Sequence, residues 1–582
     1  MPRAQIRINS NQWTREYTLS NSNKKYDAIV VGSGISGGWA AKELCEKGLR
    51  VLLLERGRNI EHGLDYLGEH APPWKIPFAN KADRKSYEDD YPIQSKCYAF
   101  DAATKDFFSK DSDAPYQQDS DKPYEWIRAN GVGGRSLIWG RQSYRWSDFD
   151  FKANKEDGHG CEWPIAYDDI KDWYSYVERF VGISGAKEGL AELPDSEFLP
   201  PMEMYAIEKT IQGRLKKYMP EVTMTMGRTA ILSQNHNGRA ACHYCGPCPR
   251  GCSTGSYFSS QVSTLPAAQA TGNLELRPYS VVEKLEYDAE KNRVSAVQVI
   301  DAESKERLSF SADLVFLCAS TLGSTQILLN SKSEHFPNGL ANRSGTLGHY
   351  LMDHFKMQHV AVFADNLDHY YKGFRPTGSY IPRFKNLPGK EKASYLRGFG
   401  VQADPVRPDW RFHFNQKGFG KGLKDTLRKP APYWIWVLGA FGECLPSYDN
   451  KVSLDEDNLD PYGIPQIRVS MSFGDNEHKM AKDIIQSGEK IFKAAGAVYI
   501  ETSDKMSVPG SAIHEMGTAR MGKDPKTSVL NKWNQSHDVP NLFVTDGSCM
   551  ASSSCVNPSL TYMALTARAC DYAVKQWQQG NI

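Results

Sequence analysis

Four cysteines of the 582-residue chain are spaced so that their thiolates can share one metal centre. Cys242, Cys245, Cys248 and Cys252 form the pattern C-x2-C-x2-C-x3-C. This is the spacing of ferredoxin-type iron–sulfur ligands, except that Ser253 stands where those runs end in proline. A structural zinc site is the alternative, but such sites usually pair two separated C-x-x-C units. The pattern therefore predicts an iron–sulfur cluster, which is a carrier of single electrons.

Three glycines near the N-terminus have the spacing of a dinucleotide-binding turn. Gly32, Gly34 and Gly37 form G-x-G-x-x-G directly after the run YDAIVV. The first glycine turns the chain, the second lets phosphates approach the backbone, and the third lets a helix pack on the strand. Glu55 follows a second apolar run, where its carboxylate can accept hydrogen bonds from ribose hydroxyls. The motif predicts a dinucleotide site but does not by itself separate FAD from NAD.

A second glycine-rich segment, NGVGGRSLIWG at residues 130–140, ends in the large apolar residues Ile138 and Trp139. A mobile loop is one interpretation of so many glycines. Flexible loops seldom continue into Leu-Ile-Trp, so we favour a rigid backbone that packs against a flat ring.

The first glycine motif lies inside a predicted strand–turn–helix–strand unit. Residues 26–31 and 51–54 are typical of buried strands, and residues 39–47 between them are typical of a helix. A later strand-like run at 312–319 precedes a helical segment at 324–330. The nucleotide-binding fold is therefore expected to resume after an insertion.

The remaining elements predict a second sheet and a C-terminal return to the first. The aromatic run YWIWVLGAF at 433–441 is typical of a strand in a half-buried sheet. A strand at 541–545 and a terminal helix at 559–576 close the chain.

Charge and hydropathy exclude several classes of partner. The chain has 70 Lys and Arg against 69 Asp and Glu, interspersed without long blocks, so neither nucleic acid nor an anionic membrane is expected as the main partner. Its apolar runs are too short to span a bilayer. The first 25 residues contain no apolar signal region and no twin arginine. These features favour a cytoplasmic protein or one exported together with a partner.

Two C-terminal segments complete a set of motifs. AIHEMGTARMG at 512–522 contains His514, and NLFVTDGSCMASSSCVNP at 541–558 contains Asp546 and Asn557. With the glycine motifs, these segments resemble the glucose–methanol–choline (GMC) family of FAD oxidoreductases from about residue 25 to the C-terminus. Further marks of that family are WPIAYDDIKDWY at 163–174, STLGSTQILLNS at 320–331 and LGHYLMDH at 347–354.

The resemblance implies a catalytic pair. In the family, the histidine at the position of His514 accepts the substrate hydroxyl proton, and a His or Asn at the position of Asn557 contacts the same oxygen. Hydride leaves an alcohol carbon readily only if a base takes the hydroxyl proton, and imidazole is suited to this at neutral pH. Asn557 cannot act as a base but can orient the oxygen.

The resemblance also implies the FAD contacts. Asp546 and Gly547 correspond to contacts with the ribityl-phosphate region, and Val282 to a backbone contact near adenine. The cofactor-binding residues predicted in this way are Gly32, Gly34, Gly37, Glu55, Gly133, Gly134, Ser136, Val282, Asp546, Gly547 and Pro558. Ile138 stands where some sugar oxidases of the family have the histidine that binds flavin covalently. Non-covalent FAD is therefore expected.

The implied fold is α/β with α+β character: a Rossmann-like FAD-binding domain interrupted by, and packed on, an antiparallel-sheet substrate domain. We expect an N-terminal arm at 1–25 and an FAD-binding domain at 26–345, with inserted segments and a Cys-rich loop at about 240–255. Residues 346–510 would form mainly the substrate-binding domain, and residues 511–582 a C-terminal FAD and catalytic segment.

Within the family, the chain looks most like the catalytic FAD subunits of bacterial glucoside 3-dehydrogenases and of gluconate or glucose dehydrogenases. This likeness implies oxidation of a secondary hydroxyl of a glucose-type sugar or glycoside, with carbon 3 suggested by the likeness alone. Some related subunits hold a 3Fe–4S cluster, which needs three thiolates, so the four cysteines imply either a 3Fe–4S or a 4Fe–4S cluster. Electrons would leave through it to an external partner such as a cytochrome c.

Such subunits can cross the membrane folded with a small partner that carries the export signal, so periplasmic localisation is expected, with the cytoplasm as the alternative. Alternative activities are a pyranose-type oxidase that uses O₂, a non-redox flavin lyase, and an electron-transfer module without a substrate. Tyr433 and Phe441 are candidates for stacking on a sugar ring, with a core role as the alternative. Glu443 is a candidate acceptor for sugar hydroxyls, or else a surface carboxylate.

Overall fold

The structure is a computed structural model that describes residues 26–66, 68–76, 84–367, 373–408, 418–428 and 431–582. The predicted N-terminal arm at 1–25 lies outside the described residues. The strands are β1 Tyr26–Val31, β2 Val51–Leu54, β3 Gln117–Gln118, β4 Thr225–Met226, β5 Leu274–Arg277, β6 Ser280–Asp288, β7 Arg293–Asp301, β8 Arg307–Phe310, β9 Ala312–Leu317, β10 Phe355–Phe363, β11 Ser379–Ile381, β12 Phe399–Val406, β13 Trp434–Gly442, β14 Lys451–Leu459, β15 Pro465–Ser470, β16 Tyr499–Thr502 and β17 Leu542–Val544. The helices are α1 Ile35–Glu46, α2 Asp148–Asp157, α3 Lys171–Val181, α4 Ala206–Tyr218, α5 Thr264–Ala270, α6 Thr321–Asn330, α7 Gly420–Arg428, α8 Asp475–Ala495 and α9 Ser559–Gln578.

A parallel sheet of five strands forms the first layer, in the order β17-β9-β1-β2-β5. Its centre is β1, which pairs with β2 on one side and β9 on the other. Ala28, Ile29 and Val30 are fully buried because the sheet is covered on both faces. The outer strand β17 is supplied by the C-terminal part of the chain, so the nucleotide-binding fold does resume after a long insertion.

Helix α1 begins at Ile35, four residues before the start that its apolar pattern predicts. Its first turn includes Gly37 and Gly38, which are poor helix formers. Close packing offsets this low helix propensity, because Gly37 lies directly against Gly32. Helix α9 packs on α1 and α3 and completes this layer.

An antiparallel sheet forms the second layer, in the order β16-β10-β13-β12-β11-β4. Side chains of β13 alternate between two environments, as the period of a strand requires. Trp434 and Trp436 are fully buried in the core that α4 and α8 help to form. Phe441 lies on the opposite face, towards the parallel sheet's side of the molecule.

Two smaller antiparallel or mixed sheets, β14-β15-β3 and β6-β7-β8, flank these layers. The mixed architecture of a parallel nucleotide-binding sheet and an antiparallel sheet confirms the predicted fold class. Among the described residues, no helix has both the length and the apolar character needed to cross a membrane.

Candidate active site

A cavity of about 650 Å³ lies where the two large sheets face each other. Its walls include the ends of the parallel strands, at Val31, Leu54 and Cys318, and the cavity-facing residues Lys356 and Phe441 of the antiparallel sheet. Ligands of open α/β sheets bind beyond the carboxyl ends of the strands, which is the position of this cavity.

The structure brings most of the predicted site residues to this cavity. The predicted residues that line it are Gly32, Gly34, Glu55, Gly134, Ser136, Cys248, Val282, His514, Asp546, Gly547, Asn557 and Pro558. The cavity lining does not include Gly37, Gly133, Cys242, Cys245 and Cys252. Ile138 also lines the cavity, at the position considered for covalent attachment.

The first glycine turn has the shape that a pyrophosphate requires. Gly32 has a φ of +96°, and a Cβ there would lie 2.5 Å from the carbonyl oxygen of Cys318. A Cβ at Gly37 would lie 1.7 Å from the carbonyl oxygen of Gly32, so only glycine allows the helix this close to the strand. At Gly34, by contrast, a Cβ would meet no heavy atom within 4 Å. The open space at Gly34, in front of α1, fits the phosphates of FAD.

The second glycine segment packs directly on the first. The backbone N–H of Gly133 donates to Oγ of Ser33 at 3.0 Å. Gly133 and Gly134 both have positive φ angles, and a Cβ at Gly134 would lie 3.4 Å from Cα of Gly34. Hydrogen bonding and close packing therefore fix this segment at the cofactor side of the cavity.

Two buried carboxylates are held in place at the cofactor side. Glu55 accepts hydrogen bonds from the backbone N–H of Ser33 at 3.1 Å and of Gly57 at 2.9 Å. Asp546 accepts from Oγ of Ser324 at 2.5 Å and the N–H of Ser548 at 3.0 Å. Burial raises the pKa of each carboxyl, and these donors act in the opposite direction. Both oriented carboxyl groups line the space available to FAD.

His514 and Asn557 meet at the other side of the cavity. Nδ2 of Asn557 lies 3.1 Å from Nε2 of His514. Nε2 of Gln402, on β12, donates to Oδ1 of Asn557 at 2.8 Å. Because Gln402 donates to Oδ1, the amide of Asn557 is oriented with its N–H groups towards His514.

A second histidine determines which nitrogen of His514 carries the proton. Nε2 of His354 lies 2.9 Å from the carbonyl oxygen of Ser554 and 3.1 Å from that of Ser553. Carbonyl oxygens only accept, so Nε2 of His354 must carry a proton. Burial lowers the pKa of His354 to about 4, so its ring is neutral and Nδ1 is an acceptor. Nδ1 of His514, 2.9 Å away, is therefore the donor.

This arrangement leaves Nε2 of His514 without a proton. Burial lowers the pKa of His514 well below its ordinary value of 6.5, and the charges of Lys356 and Arg135 lower it further. The imidazole is therefore neutral at neutral pH, with its lone pair directed at Asn557. A neutral imidazole in this tautomer is the form in which histidine accepts a proton from a hydroxyl.

The backbone of His514 is fixed by the residue beside His354. The buried carboxyl of Asp353 accepts hydrogen bonds from the N–H groups of Gly510 at 2.8 Å, Ala512 at 3.2 Å and His514 at 3.0 Å. Asp353 thus fixes the backbone of residues 510–514, and His354 orients the imidazole ring of His514.

The predicted role of Glu443 in binding hydroxyls is wrong, as is its alternative as a surface carboxylate. Its side chain is 1% exposed and pairs with Nη1 of Arg397 at 2.9 Å. Arg397 also binds Asp157 at 2.8 Å. Arg397 thus links Glu443, just after β13, to Asp157 at the end of α2, and neither Glu443 nor Arg397 lines the cavity. Phe441 does line the cavity, with its ring centroid 5.8 Å from that of His514.

The role of Glu443 as a buried partner of Arg397 can be tested by measuring the stability of a variant. Glu443→Ala deprives the buried Arg397 of one of its two carboxylate partners, so we expect the free energy of unfolding to fall by about 3 kcal/mol. KM for the substrate should not change. Urea denaturation measures the first quantity, and Glu456→Ala, which removes an exposed partner of Lys332, is the matched control with an expected loss under about 1 kcal/mol. A stable Glu443→Ala variant with a raised KM would place Glu443 in substrate binding after all.

The four clustered cysteines lie near one another beside the cavity. All are free thiols, Cys245 is exposed, and only Cys248 lines the cavity. Burial raises the pKa of Cys242 to about 11, and the charges of the other three thiols add to this effect. Within the part of the chain that the structure describes, no group of three or more Cys, His, Asp or Glu side chains is arranged to hold a metal ion. The ligand role of the cysteines stays a prediction.

Sequence reasoning did not identify His354, Asp353 or Gln402 as site residues. The first two end the segment LGHYLMDH, which sequence analysis noted only as a family mark. The adjacent Asp353 and His354 in this segment were the sequence signal from which these two site residues could have been predicted. Gln402 lies in a strand with nothing in its local pattern to distinguish it from a surface glutamine.

Comparison with known proteins agrees with this geometry. Family models described as GMC oxidoreductase match residues 26–356 and residues 446–566. The chain belongs to the GMC oxidoreductase family. It is accordingly an FAD-dependent oxidoreductase that acts on CH–OH groups.

Two similar proteins match along nearly their whole length. The 2-methyl-1,2-propanediol dehydrogenase of Mycolicibacterium austroafricanum is 29% identical over 96% of this chain and 97% of that protein. The fructose dehydrogenase large subunit of Gluconobacter japonicus is 26% identical over 97% of this chain and 100% of that protein. The crystal structure of pyridoxine 4-oxidase from Mesorbium loti shares the fold, with a TM-score of 0.59 at 15% identity over 94% of this chain and 99% of that one.

Proposed function

We propose that this chain is an FAD-dependent dehydrogenase that oxidises a secondary hydroxyl of a glucose-type sugar or glycoside, at carbon 3, to a keto-sugar. The observation that carries the proposal is the hydrogen-bond chain that leaves Nε2 of His514 unprotonated beside Asn557. The cavity is also lined by polar side chains and by the ring of Phe441, which suits a ring with hydroxyl groups. The similarity to a fructose dehydrogenase subunit supports a sugar substrate.

The residues of the chain have separate tasks in this reaction. The substrate hydroxyl replaces Asn557 as the hydrogen-bond donor to Nε2 of His514, which accepts the hydroxyl proton, and Nδ2 of Asn557 donates to the oxygen of that hydroxyl. The glycine turn at Gly32, Gly34 and Gly37 would hold FAD, which would supply an acceptor for the hydride that leaves the carbon. Phe441 packs against the ring of the substrate and reduces the water around the reacting atoms.

Anaerobic mixing of the FAD-loaded protein with methyl α-D-glucoside, D-glucose or D-fructose tests this function. We expect at least one of them to bleach the oxidised flavin absorbance, and NMR of the product to show a ketone at ring carbon 3. Turnover should be faster with an artificial one-electron acceptor than with O₂. Rapid peroxide formation would instead identify a pyranose-type oxidase, and turnover without any flavin bleaching would identify a lyase.

We further propose that Cys242, Cys245, Cys248 and Cys252 hold an iron–sulfur cluster, of 3Fe–4S or 4Fe–4S type. The spacing, the free thiols and their mutual electrostatic influence support this, and the position of Cys248 on the cavity wall places the loop beside the cofactor site. The described side chains would have to converge further to bind iron. A cluster there would carry electrons singly to an external acceptor such as a cytochrome c.

Cys248→Ser is expected to lose iron and acid-labile sulfide while FAD stays bound. Flavin reduction by sugar should persist, but steady-state turnover with a cytochrome c should fall at least about tenfold because the one-electron carrier is gone. Iron and sulfide analysis with EPR spectroscopy measures the first effect. Cys161→Ser, at a half-buried cysteine outside the cluster, is the matched control. Iron-free wild-type protein that still turns over fully with the cytochrome would contradict the cluster proposal.

The proposed location is the periplasm, reached by export together with a small partner subunit that carries the signal. The relative from Gluconobacter japonicus is named as a large subunit, which supports a multi-subunit assembly here. Fractionation of the native host tests this location. Detection of the chain in the cytoplasmic fraction alone would refute the periplasmic proposal.

A further inference from the structure

A carboxylate on β12 faces the cavity without a hydrogen-bond partner among the described residues. Gln402 and Asp404 project from the cavity-facing side of this strand, whereas Val401 and Ala403 point into the core on the other side. Both Gln402 and Asp404 line the cavity. Gln402 is bound to Asn557, but no backbone or side-chain donor of the described residues hydrogen-bonds to the carboxylate of Asp404.

The lack of a side chain at Gly378, the residue before β11, makes room for this carboxylate. A Cβ at Gly378 would lie 2.2 Å from Oδ1 of Asp404 and 2.1 Å from the carbonyl oxygen of Ala403. Glycine at position 378 therefore allows the carboxylate its present place against β11. Thr377 and Gly378 also line the cavity at this point.

Two arginines near Asp404 stabilise its charge without occupying its oxygens. Arg375 donates to Glu208 at 2.5 and 2.9 Å, and its Nε donates to the carbonyl oxygen of Thr377. Arg141 donates to the carbonyl oxygens of Trp139 at 2.9 Å and Pro376 at 3.2 Å. Desolvation at the cavity wall raises the pKa of Asp404, the charges of Arg375 and Arg141 act in the opposite direction, and the charge of Glu208 adds to the rise. An ionised carboxylate accepts hydrogen bonds only, so its available partners are donors on a ligand.

The balance of charge at this end of the cavity indicates which donors are suitable. Arg375 and Arg141 are countered by Glu208 and by Asp404 itself, so the group as a whole is close to neutral. A cationic ligand would meet the two arginines, and an anionic ligand would meet the carboxylate. Neutral hydroxyl groups are repelled neither by the arginines nor by the carboxylate. Two hydroxyls on adjacent carbons can donate to the two carboxylate oxygens together.

We propose that Asp404 binds hydroxyl groups of the substrate remote from the oxidised carbon, which makes the substrate a neutral polyol or sugar. Residues two apart on a strand are separated by roughly 7 Å. A molecule whose reacting hydroxyl lies at His514 and Asn557, next to Gln402, would therefore carry its further hydroxyls to Asp404. A cyclic alcohol with a single hydroxyl lacks these groups. This assignment rests on the proposed function and narrows its substrate class.

The test compares Asp404→Asn, which keeps the side-chain volume but removes the charge and one acceptor, with Asp457→Asn on the exposed strand β14. The fastest of the three sugars named above and cyclohexanol, a six-membered ring with one hydroxyl, are the probes. Asp404→Asn should raise KM for the sugar roughly 10- to 100-fold with little change in kcat, since hydrogen bonds to a charged group are lost. The inhibition constant of cyclohexanol against the sugar should stay the same, and Asp457→Asn should match the wild type in both.

FAD content and Tm establish that each variant is folded. An unchanged KM for the sugar, or an equal weakening of sugar and cyclohexanol, would overturn the role of Asp404. A lower KM of the wild type for an amino-sugar than for the corresponding neutral sugar would also overturn this role, since the preferred ligand would then be a cation. If no sugar reduces the flavin of the wild type, the proposed function fails and this assignment fails with it.

Discussion

Replacing His514 by alanine is expected to slow flavin reduction by the substrate about 10²–10⁴-fold, because the hydroxyl proton then has no base to accept it. His514 is the one group of the described catalytic pair that can take up a proton, since Asn557 has no basic nitrogen. Stopped-flow absorbance of the anaerobic FAD-loaded protein measures the rate. FAD content should be unchanged, because the glycine turn that holds the phosphates lies on the other side of the cavity.

His335→Ala, at an exposed histidine outside the cavity, is the matched control and should reduce at the wild-type rate. Raising the pH should partly restore the rate of His514→Ala, because an alcohol that is already ionised needs no base. A variant that reduces normally at neutral pH would show that the base is elsewhere.

Replacing His354 by leucine should have the next largest effect, a loss of about 10²–10³ in kcat/KM. Leucine cannot accept the Nδ1 proton of His514, so the tautomer with an unprotonated Nε2 loses its stabilisation. Losing the partner that orients a metal-ligating imidazole costs 10–100-fold, and the wrong tautomer of a reacting imidazole costs about 10⁴-fold in serine proteases. The expected loss lies between these two values.

The pH profile distinguishes this positioning role from a merely structural one. In the wild type the acidic limb of kcat/KM should lie below pH 6.5, since the pKa of His514 is lowered. A neutral His354 that accepts the Nδ1 proton favours the protonated form of His514, so its replacement by leucine should lower the pKa of His514 further and move the acidic limb to still lower pH. His354→Asn, whose amide oxygen can accept the same proton, should recover part of the rate. An acidic limb that does not move, together with equal rates for the leucine and asparagine variants, would exclude the tautomer role.

Much of the fold follows from local pattern. The strands β1 and β2 have the bounds that their apolar runs predict, because strands covered on both faces are continuously apolar. The start of α1 was predicted too late, since the pattern at Gly37 and Gly38 gives no sign of a helix. Its helical geometry there depends on contact with the turn before it, which is a tertiary interaction.

The site was predictable where chemistry and spacing occur within one segment. His514 and Asn557 belong to recognisable motifs, and the structure brings them together. Gln402, Asp404 and His354 become site residues only because β10 and β12 lie in one sheet across the cavity from the nucleotide fold. Glu443 shows the converse: it follows an aromatic strand as a binding residue would, but Arg397, 46 residues earlier in the chain, pairs with it in the interior.

The carbonyl oxygens of Ser553 and Ser554 at the end of the hydrogen-bond chain have a further consequence for the order of events in turnover. Peptide carbonyls cannot take up a proton, so a proton received by Nε2 of His514 cannot continue inward beyond His354. It must return through the face by which it arrived. The oxidised product occupies that face until it leaves, so the enzyme should release its product before it exchanges the proton with bulk water.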